Sequence, residues 1–218
     1  MNEEFIEFLA KEGALLFGDF TTKSGRKTPY FVNTGQICSG KGLAGLARFF
    51  AGKIKETGAP PIIYGPAYKG IPLAVATSIS LSVDFGIENS WLFNRKEVKA
   101  HGDKGAFVGR LPKEGEEVVL VDDVFTTGGT KYESVELLES MGAKVKALII
   151  GVDREEKGEE GNQNAVGEFV SKTKIPVHSI AKTREVFEHL RGKEVGGKVY
   201  VTEEMYSLYE KYRGEYGS

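Results

Sequence analysis

The sequence predicts an α/β fold in which a central, mostly parallel sheet is flanked by helices. Strand patterns alternate along the chain with segments of helical periodicity, which is typical of βαβ units. Three predicted strands end in unusual residues, at 65–70, 122–130 and 153–154. Because ligands of parallel α/β sheets bind at the carboxyl ends of the strands, these three ends are candidates for one site.

The predicted elements of the first half are short. Apolar residues near helical spacing predict an opening helix that includes Phe5, Ile6, Leu9, Leu15 and Leu16. The stretch FTTKSGRKTPYFVNTG predicts a turn that leads into a short strand around residues 30–32, and residues 42–57 follow as a helix. A strand in PPIIYGPAYKG precedes a helix in IPLAVATSISLSV. WLFNRKEVKAHGDKGAFVG then starts as a strand and continues as a basic loop.

The second half continues the alternation. A strand in EGEEVVLVDDV precedes a helix in GTKYESVELLESMGA, for which Gly142 is the predicted C-cap. The predicted buried face of this helix carries Val135, Leu137, Leu138 and Met141. KVKALIIGVDR is the next strand, GEEGNQN a polar loop, IPVHSIA a last strand and REVFEHL a helix. MYSLYEKYRGEY predicts a C-terminal helix with an exposed aromatic tail.

The sequence contains no repeat and no clear interdomain linker. We therefore expect residues 1–218 to form a single domain. Within it, the segment up to about residue 57 is expected to form a small N-terminal subdomain, and the segment from about residue 58 the core.

Composition and charge exclude several classes of protein. Of the 218 residues, 40% are hydrophobic and 28% are charged, as in ordinary soluble globular proteins. The net charge of −2 gives no positive field that would indicate nucleic-acid binding. A single cysteine, Cys38, excludes an intramolecular disulfide framework, and with three histidines a structural metal site is not expected. The N-terminus is acidic rather than signal-like, and no apolar run approaches the roughly 20 residues of a membrane span, so we expect a cytoplasmic protein.

The stretch VVLVDDVFTTGGT, residues 118–130, carries the strongest chemical signal. A buried strand runs into Asp122 and Asp123, and a loop rich in hydroxyls and glycine opens the next helix. The first turn of a helix offers unpaired N–H groups and a partial positive charge, which suit a phosphate. The carboxylates would repel that phosphate, so we expect them to face hydroxyls, a cation or both. The pattern predicts a sugar-phosphate site, and its alternative is a turn with a helix N-cap.

This stretch resembles the phosphoribosyl-pyrophosphate (PRPP) signature of type I phosphoribosyltransferases, in which two acids hold ribose hydroxyls and the loop holds the 5-phosphate. Three other stretches resemble the orotate phosphoribosyltransferase family, in that family's order. FTTKSGRKTPYFVNTG resembles its N-terminal substrate segment, YGPAYKG its pyrophosphate loop and FNRKEVKAHGDKG its mobile catalytic loop. The resemblance implies the type I phosphoribosyltransferase fold, with the N-terminal subdomain as a hood over the site.

The resemblance also implies roles for single residues. Expected PRPP-binding residues are Lys23, Tyr68, Lys69, Arg95, Lys96, Lys99, His101, Asp122, Asp123, Val124, Phe125, Thr126, Thr127, Gly128, Gly129 and Thr130. Expected catalytic residues are Lys99, His101 and Asp123, with Lys99 in the main electrostatic role and His101 as a proton donor. Expected orotate-binding residues are Phe31, Val32, Thr126 and Arg154. Many relatives carry a second aromatic at the position of Val32, where backbone contacts would survive.

Several of these residues have simpler alternative interpretations. Arg95, Lys96, Lys99 and His101 could form a solvated basic loop, although beside a sugar pyrophosphate such cations would stabilise the charge of the leaving group. The loop at 65–70 could be a tight turn with a surface lysine. Relatives often hold a strained peptide in this loop, which a sequence does not reveal. Phe31 could be a core aromatic. For Arg154, the alternative to binding a carboxylate as a fork is an ion pair with Asp153 or Glu155.

The implied reaction is transfer of the phosphoribosyl group from PRPP to orotate, in UMP synthesis. The implied cofactor is Mg²⁺, held mainly by PRPP and without a certain protein ligand. The implied assembly is a homodimer in which Lys99 and His101 enter the neighbouring subunit's site. One alternative is transfer to another base, such as a purine or uracil. A second is a PRPP-sensing regulator that binds nucleic acid, but the net charge of −2 argues against it. Neither nucleic acid nor membrane is an expected partner.

Overall fold

The computed structural model describes residues 1–21, 25–58, 61–96, 106–126, 128–158 and 163–218, and within these ranges it contains seven α-helices and ten strands. The helices are α1 Glu3–Lys11, α2 Gly40–Glu56, α3 Gly70–Phe85, α4 Gly129–Glu139, α5 Ala165–Thr173, α6 Thr183–Leu190 and α7 Glu203–Tyr216. The strands are β1 Leu15–Thr21, β2 Lys27–Val32, β3 Ile62–Tyr64, β4 Ser90–Asn94, β5 Phe107–Gly109, β6 Glu117–Phe125, β7 Lys144–Asp153, β8 Val177–Lys182, β9 Glu194–Val195 and β10 Lys198–Val199. A short 3-10 helix covers Thr34–Gln36.

The central sheet has six strands in the order β5-β4-β3-β6-β7-β8. All neighbours in it run parallel except β4 and β5, which pair antiparallel at one edge. The predicted α/β fold with a mostly parallel sheet is therefore confirmed. β6 lies between β3 and β7, but β3 pairs only as far as Leu120, so the carboxyl end of β6 continues beside β7 alone.

Both faces of the sheet are covered, which explains the nearly continuous apolar runs in its strands. Alternate residues of β6 belong to different cores. Val119 and Val121 pack with α1, α2 and α6 on one face, and Val118 and Leu120 pack with α4 and α5 on the other. All four side chains are fully buried. The alternation fixes which face each side chain takes at the end of the strand, where the aspartates lie.

Strands β1 and β2 form an antiparallel hairpin outside the central sheet, and helix α7 packs on it. Tyr209 of α7 stacks on Phe187 with ring centroids 3.8 Å apart. The Tyr30 ring meets Tyr209 and Tyr212 edge-on at 6.3 and 5.9 Å. Tyr209 and Tyr212 are buried, so the expectation of an exposed aromatic tail was wrong: the periodicity of the tyrosines gave the helix but not the hairpin that covers it.

Three local predictions were also wrong. Helix α1 ends at Lys11, and Leu15 and Leu16 lie in β1, because adjacent leucines fit the helical and the strand pattern equally well. The C-cap of α4 is Ser140, and Gly142 lies two residues beyond it. Helix α5 was missed behind the polar loop; Asn164 caps it by accepting a hydrogen bond from the N–H of Gly167. Within the described ranges, none of the helices combines the length and the apolar composition that crossing a membrane requires.

Candidate active site

The carboxyl end of β6 presents Asp122 and Asp123, both buried, to different surroundings. Asp123 accepts hydrogen bonds from Lys69 Nζ at 3.1 Å and from Thr34 Oγ1 at 3.4 Å, through the same oxygen. Lys69 comes from the loop after β3, and Thr34 from the segment after the hairpin. Asp123 therefore joins the end of the sheet to the end of the hairpin.

Asp122 meets a different lysine. Its Oδ2 lies 2.5 Å from Nζ of Lys131, in the first turn of α4, and its Oδ1 accepts a hydrogen bond from the backbone N–H of Asp123 at 2.9 Å. Burial raises the pKa of Asp122 above its usual value, the ammonium of Lys131 lowers it, and the charge of Asp123 raises it again. Each carboxylate oxygen has two lone pairs, so both aspartates retain acceptor capacity for hydroxyls.

The loop after β3 is held in a fixed shape beside these carboxylates. The peptide between Ala67 and Tyr68 is cis. Asn94 Oδ1, at the end of β4, accepts hydrogen bonds from the Tyr64 hydroxyl at 2.9 Å and from the Ala67 N–H at 3.1 Å. A Cβ on Gly65 would lie 1.9 Å from the carbonyl oxygen of Gly70, so only glycine fits there. Burial raises the pKa of Tyr64 to about 12, which keeps its hydroxyl a donor.

The N-terminus of α4 opens the loop that follows the aspartates. Gly128 is its N-cap with φ +87°, a conformation that favours glycine, and a Cβ there would meet the Phe125 ring at 2.9 Å. The N–H groups of Lys131 and Tyr132 bond back to the Gly128 carbonyl. A Cβ on Gly129 would meet none of the described residues outside its own helix within 4 Å, so the space beside the first turn is open at this position. Thr126, Gly129 and Thr130 are exposed at this opening.

Phe125 and Val124 differ from the rest of this predicted loop. Phe125 is fully buried, and its ring packs on Phe169 with centroids 5.6 Å apart, so only its backbone remains for a ligand. Val124 is half-buried against the hydrophobic core.

A second group of cations lies at the end of β4. Lys96 Nζ lies 4.9 Å from the centroid of the Tyr68 ring, which is 65% exposed. The N–H of Arg95 bonds to the Ala106 carbonyl at 2.7 Å, which continues the β4–β5 pairing. The loop at 65–70 and the base of the predicted basic loop are thus neighbours. Lys23, Lys99, His101 and Thr127 lie outside the described residues.

Arg154 lies at the end of β7 and is buried, with 5% of its surface exposed. Its Nε donates to Glu156 Oε1 at 2.7 Å, and the hydroxyl of Tyr212 donates to the same oxygen at 2.5 Å. The guanidinium also lies 4.6 Å from the centroid of the Tyr30 ring. The ion-pair partner of Arg154 is therefore Glu156, rather than Asp153 or Glu155 as the alternative interpretation expected.

The two hairpin residues expected to contact the base differ in burial. Phe31 is half-buried, with its ring centroid 5.9 Å from that of Phe20. Val32 is 4% exposed and pairs with Leu15 across the hairpin. Three residues of this region were not predicted from the sequence: Thr34 and Lys131 contact the predicted aspartates, and Asn94 contacts Tyr64 and Ala67 in the loop that carries Tyr68 and Lys69. Their positions, each close to the end of a strand or the start of a helix that carries a predicted motif, were the available signal.

Comparison with known proteins supplies independent information. Residues 33–176 match the phosphoribosyl transferase domain family. The orotate phosphoribosyltransferase of Clostridium beijerinckii is 45% identical over 99% of this chain and 97% of its own length. That of Nitrosococcus oceani is 46% identical over 87% of this chain and 86% of its own. The crystal structure of the Francisella tularensis orotate phosphoribosyltransferase superposes with a TM-score of 0.82 at 36% identity, covering 99% of this chain and 100% of that one.

Proposed function

The chain belongs to the orotate phosphoribosyltransferase family, and we propose that it transfers the phosphoribosyl group of PRPP to orotate, giving orotidine 5′-monophosphate and pyrophosphate. The observation that carries the proposal is the juxtaposition at the end of β6. Two buried carboxylates lie there, each against a lysine, and directly before the open N-terminus of α4. A sugar phosphate needs that combination of acceptors and positive charge in one place.

In this proposal the 5-phosphate of PRPP lies against the first turn of α4. The open space in front of Gly129 and the exposed hydroxyls of Thr126 and Thr130 support it. Thr127 and the backbone at Val124, Phe125 and Gly128 complete the expected loop. The ribose hydroxyls donate to Asp122 and Asp123, which keep free lone pairs beside their lysines.

The pyrophosphate group would lie on the opposite side of the ribose, against the loop at 65–70. Lys69, whose side chain is 49% exposed, can move from Asp123 to a pyrophosphate oxygen, because the ribose hydroxyls, the Thr34 hydroxyl and the Val124 N–H can donate to the buried carboxylate in its place. Tyr68, Arg95 and Lys96 stand on the same side. Lys99 and His101 from the basic loop and Lys23 from the hairpin turn are expected to complete the set. Cations positioned in this way stabilise the negative charge that develops on the leaving group.

The orotate ring would lie near the end of the hairpin, with Phe31, Val32 and Thr126 around it. Arg154 is the expected partner of the orotate carboxylate. Because its Nε and Nη2 both contact Glu156, and Nη2 also donates to Thr28 and Tyr212, a direct contact requires the guanidinium to use Nη1 or to exchange partners. The half-buried Phe31 and the Thr34 hydroxyl, which already reaches Asp123, support a base site at this end of the hairpin.

The reaction we propose is a displacement at the anomeric carbon with oxocarbenium character. Asp122 and Asp123 orient the ribose, and the lysines neutralise the departing pyrophosphate.

Mg²⁺ bound to PRPP would add positive charge to the pyrophosphate. We propose that this ion is held mainly by substrate oxygens, because Mg²⁺ usually keeps water and substrate ligands rather than an all-protein cage. The homodimer with shared sites, the hood role of the segment up to about residue 57 and the cytoplasmic location remain part of the proposal.

The test is consumption of orotate, followed by its ultraviolet absorbance, with purified protein, PRPP and Mg²⁺. Uracil, hypoxanthine and adenine run in parallel. We expect turnover of orotate alone. Turnover of another base instead would show that the protein is a phosphoribosyltransferase with a different base as its substrate. Binding of PRPP without turnover of any base would contradict the enzyme proposal and favour a PRPP sensor.

A further inference from the structure

Lys131 occupies a position where a lysine is unfavourable. It is the third residue of α4, in the first turn, where the partial positive charge of the helix repels a cation. It is also 6% exposed, and burying an ammonium group is costly unless it is paired. A lysine in such a place needs a compensating interaction.

The compensation comes from Asp122. The Lys131 Nζ lies 2.5 Å from Asp122 Oδ2, and both side chains are almost fully buried, with 7% and 10% exposed. The ammonium also lies 5.9 Å from the centroid of the Phe125 ring, which adds a weaker attraction. The pair joins the end of β6 to the first turn of α4, across the loop proposed to bind the phosphate.

The other aspartate is paired differently. The Lys69 side chain, bound to Asp123, is 49% exposed and comes from a loop, so it is free to move toward a ligand. The Lys131 side chain is enclosed and carried by a helix, so it is not. The two lysines therefore differ in their possible roles in substrate binding. Lys69 can bind substrate directly, whereas Lys131 can act only through the carboxylate of Asp122.

We propose that Lys131 is a positioning residue that keeps Asp122 ionised and fixed in orientation, so that Asp122 accepts a hydrogen bond from a ribose hydroxyl of PRPP. This inference rests on the proposed function. Among the described residues, the titratable groups that face Asp122 are Lys131 from α4, Asp123 next to it on β6 and Tyr64 from β3. Of these, only Lys131 is a cation.

The pH dependence follows from the signs of these interactions. Burial and the charge of Asp123 both raise the pKa of Asp122, and Lys131 opposes them. Without Lys131, Asp122 stays protonated up to a higher pH. A protonated carboxyl loses one acceptor site and its charge, so PRPP binding weakens on the acid side.

The experiment compares Lys131→Met with Lys131→Arg, which keeps the charge, and with Lys41→Met, which removes an exposed lysine of α2. For Lys131→Met at neutral pH we expect the KM for PRPP to rise roughly tenfold, the effect of losing one charge-assisted hydrogen bond, with the KM for orotate unchanged. The acid limb of kcat/KM for PRPP should move to higher pH. Lys131→Arg should retain most of the wild-type profile, and Lys41→Met all of it.

Two further measurements distinguish loss of the proposed role of Lys131 from misfolding of the variant and from an error in the proposed function. Lys131→Met/Asp122→Asn removes both charges, so no unpaired charge is buried, and it should bind PRPP as Asp122→Asn does alone. Infrared titration of the Asp122 carboxyl, identified by difference from Asp122→Asn, needs no substrate. A folded Lys131→Met with a wild-type acid limb and infrared titration would overturn the inference. An infrared shift in a protein that does not use orotate would instead overturn the proposed function.

Discussion

Arg154 and Glu156 form a buried ion pair two residues apart in sequence, with Nε of the arginine 2.7 Å from Oε1 of the glutamate. Glu155 between them has φ 51°, a left-handed conformation that turns the chain and lets Glu156 face back toward Arg154. The hydroxyl of Tyr212 donates to the same oxygen and connects the pair to α7. The pair therefore joins the end of β7 to the C-terminal helix.

Glu156→Gln should lower stability strongly. The substitution leaves the Arg154 guanidinium buried without a counter-charge, which costs about 3 kcal/mol of unfolding free energy in proteins with a broken buried pair. Urea denaturation measures this change. Glu203→Gln, which breaks the exposed pair with Arg191, is the control and should have a much smaller effect. Equal stability of the two variants would show that Arg154 finds another partner.

Lys69→Met should reduce turnover while leaving the fold intact. The half-exposed lysine is expected to stabilise the leaving pyrophosphate, and removing one such group costs about 100-fold in kcat. Steady-state kinetics and thermal melting measure the two effects. A variant with wild-type kcat would show that Lys69 does not stabilise the transition state, whatever its effect on the KM for PRPP.

Gly129→Ala should separate stability from substrate binding. A methyl group at this position meets no atom of the described residues outside its own helix, and alanine suits a helix better than glycine, so thermal stability should be equal or slightly higher. The methyl group would, however, enter the proposed phosphate site and raise the KM for PRPP by about tenfold or more. Gly40→Ala, at the start of α2 and equally open, is the matched control. An unchanged KM for PRPP would contradict the proposed position of the 5-phosphate against the first turn of α4.

Lys99→Ala should lower kcat by about 100-fold with the proposed dimer retained, because the expected role of Lys99 is electrostatic. If Lys99 acts in the neighbouring subunit, mixing Lys99→Ala with Asp123→Asn subunits should restore activity. Random reassociation makes half of the dimers mixed, with one intact site each, so roughly a quarter of wild-type activity is expected. No recovery after verified subunit exchange would place Lys99 in the site of its own subunit.

The parallel sheet and the ligand-binding loops at the carboxyl ends of β3 and β6 could be predicted from the sequence. Buried parallel strands appear as apolar runs, and the loops after them are rich in glycine, so both leave strong local patterns. The sequence could not predict that Glu156 pairs with Arg154, since that depends on the backbone conformation of Glu155. It could not predict the partner of Lys131 either, because a lysine in a helix is usually solvated and its burial depends on the end of β6. Contacts between elements distant in sequence, such as Tyr30 with Tyr212, have no local signature.

The packing of Tyr30 against Tyr209 and Tyr212 has a consequence for the order of folding. The hairpin is synthesised well before α7, so it must wait until α7 has left the ribosome before it acquires its aromatic partners. The hydrophobic cluster on the α4 and α5 face of the sheet consists, within the described ranges, of residues between 62 and 177, so it does not have this dependence and can form earlier. A nascent chain of this protein would therefore begin to assemble the proposed phosphate site while the proposed base site still lacked its supporting helix.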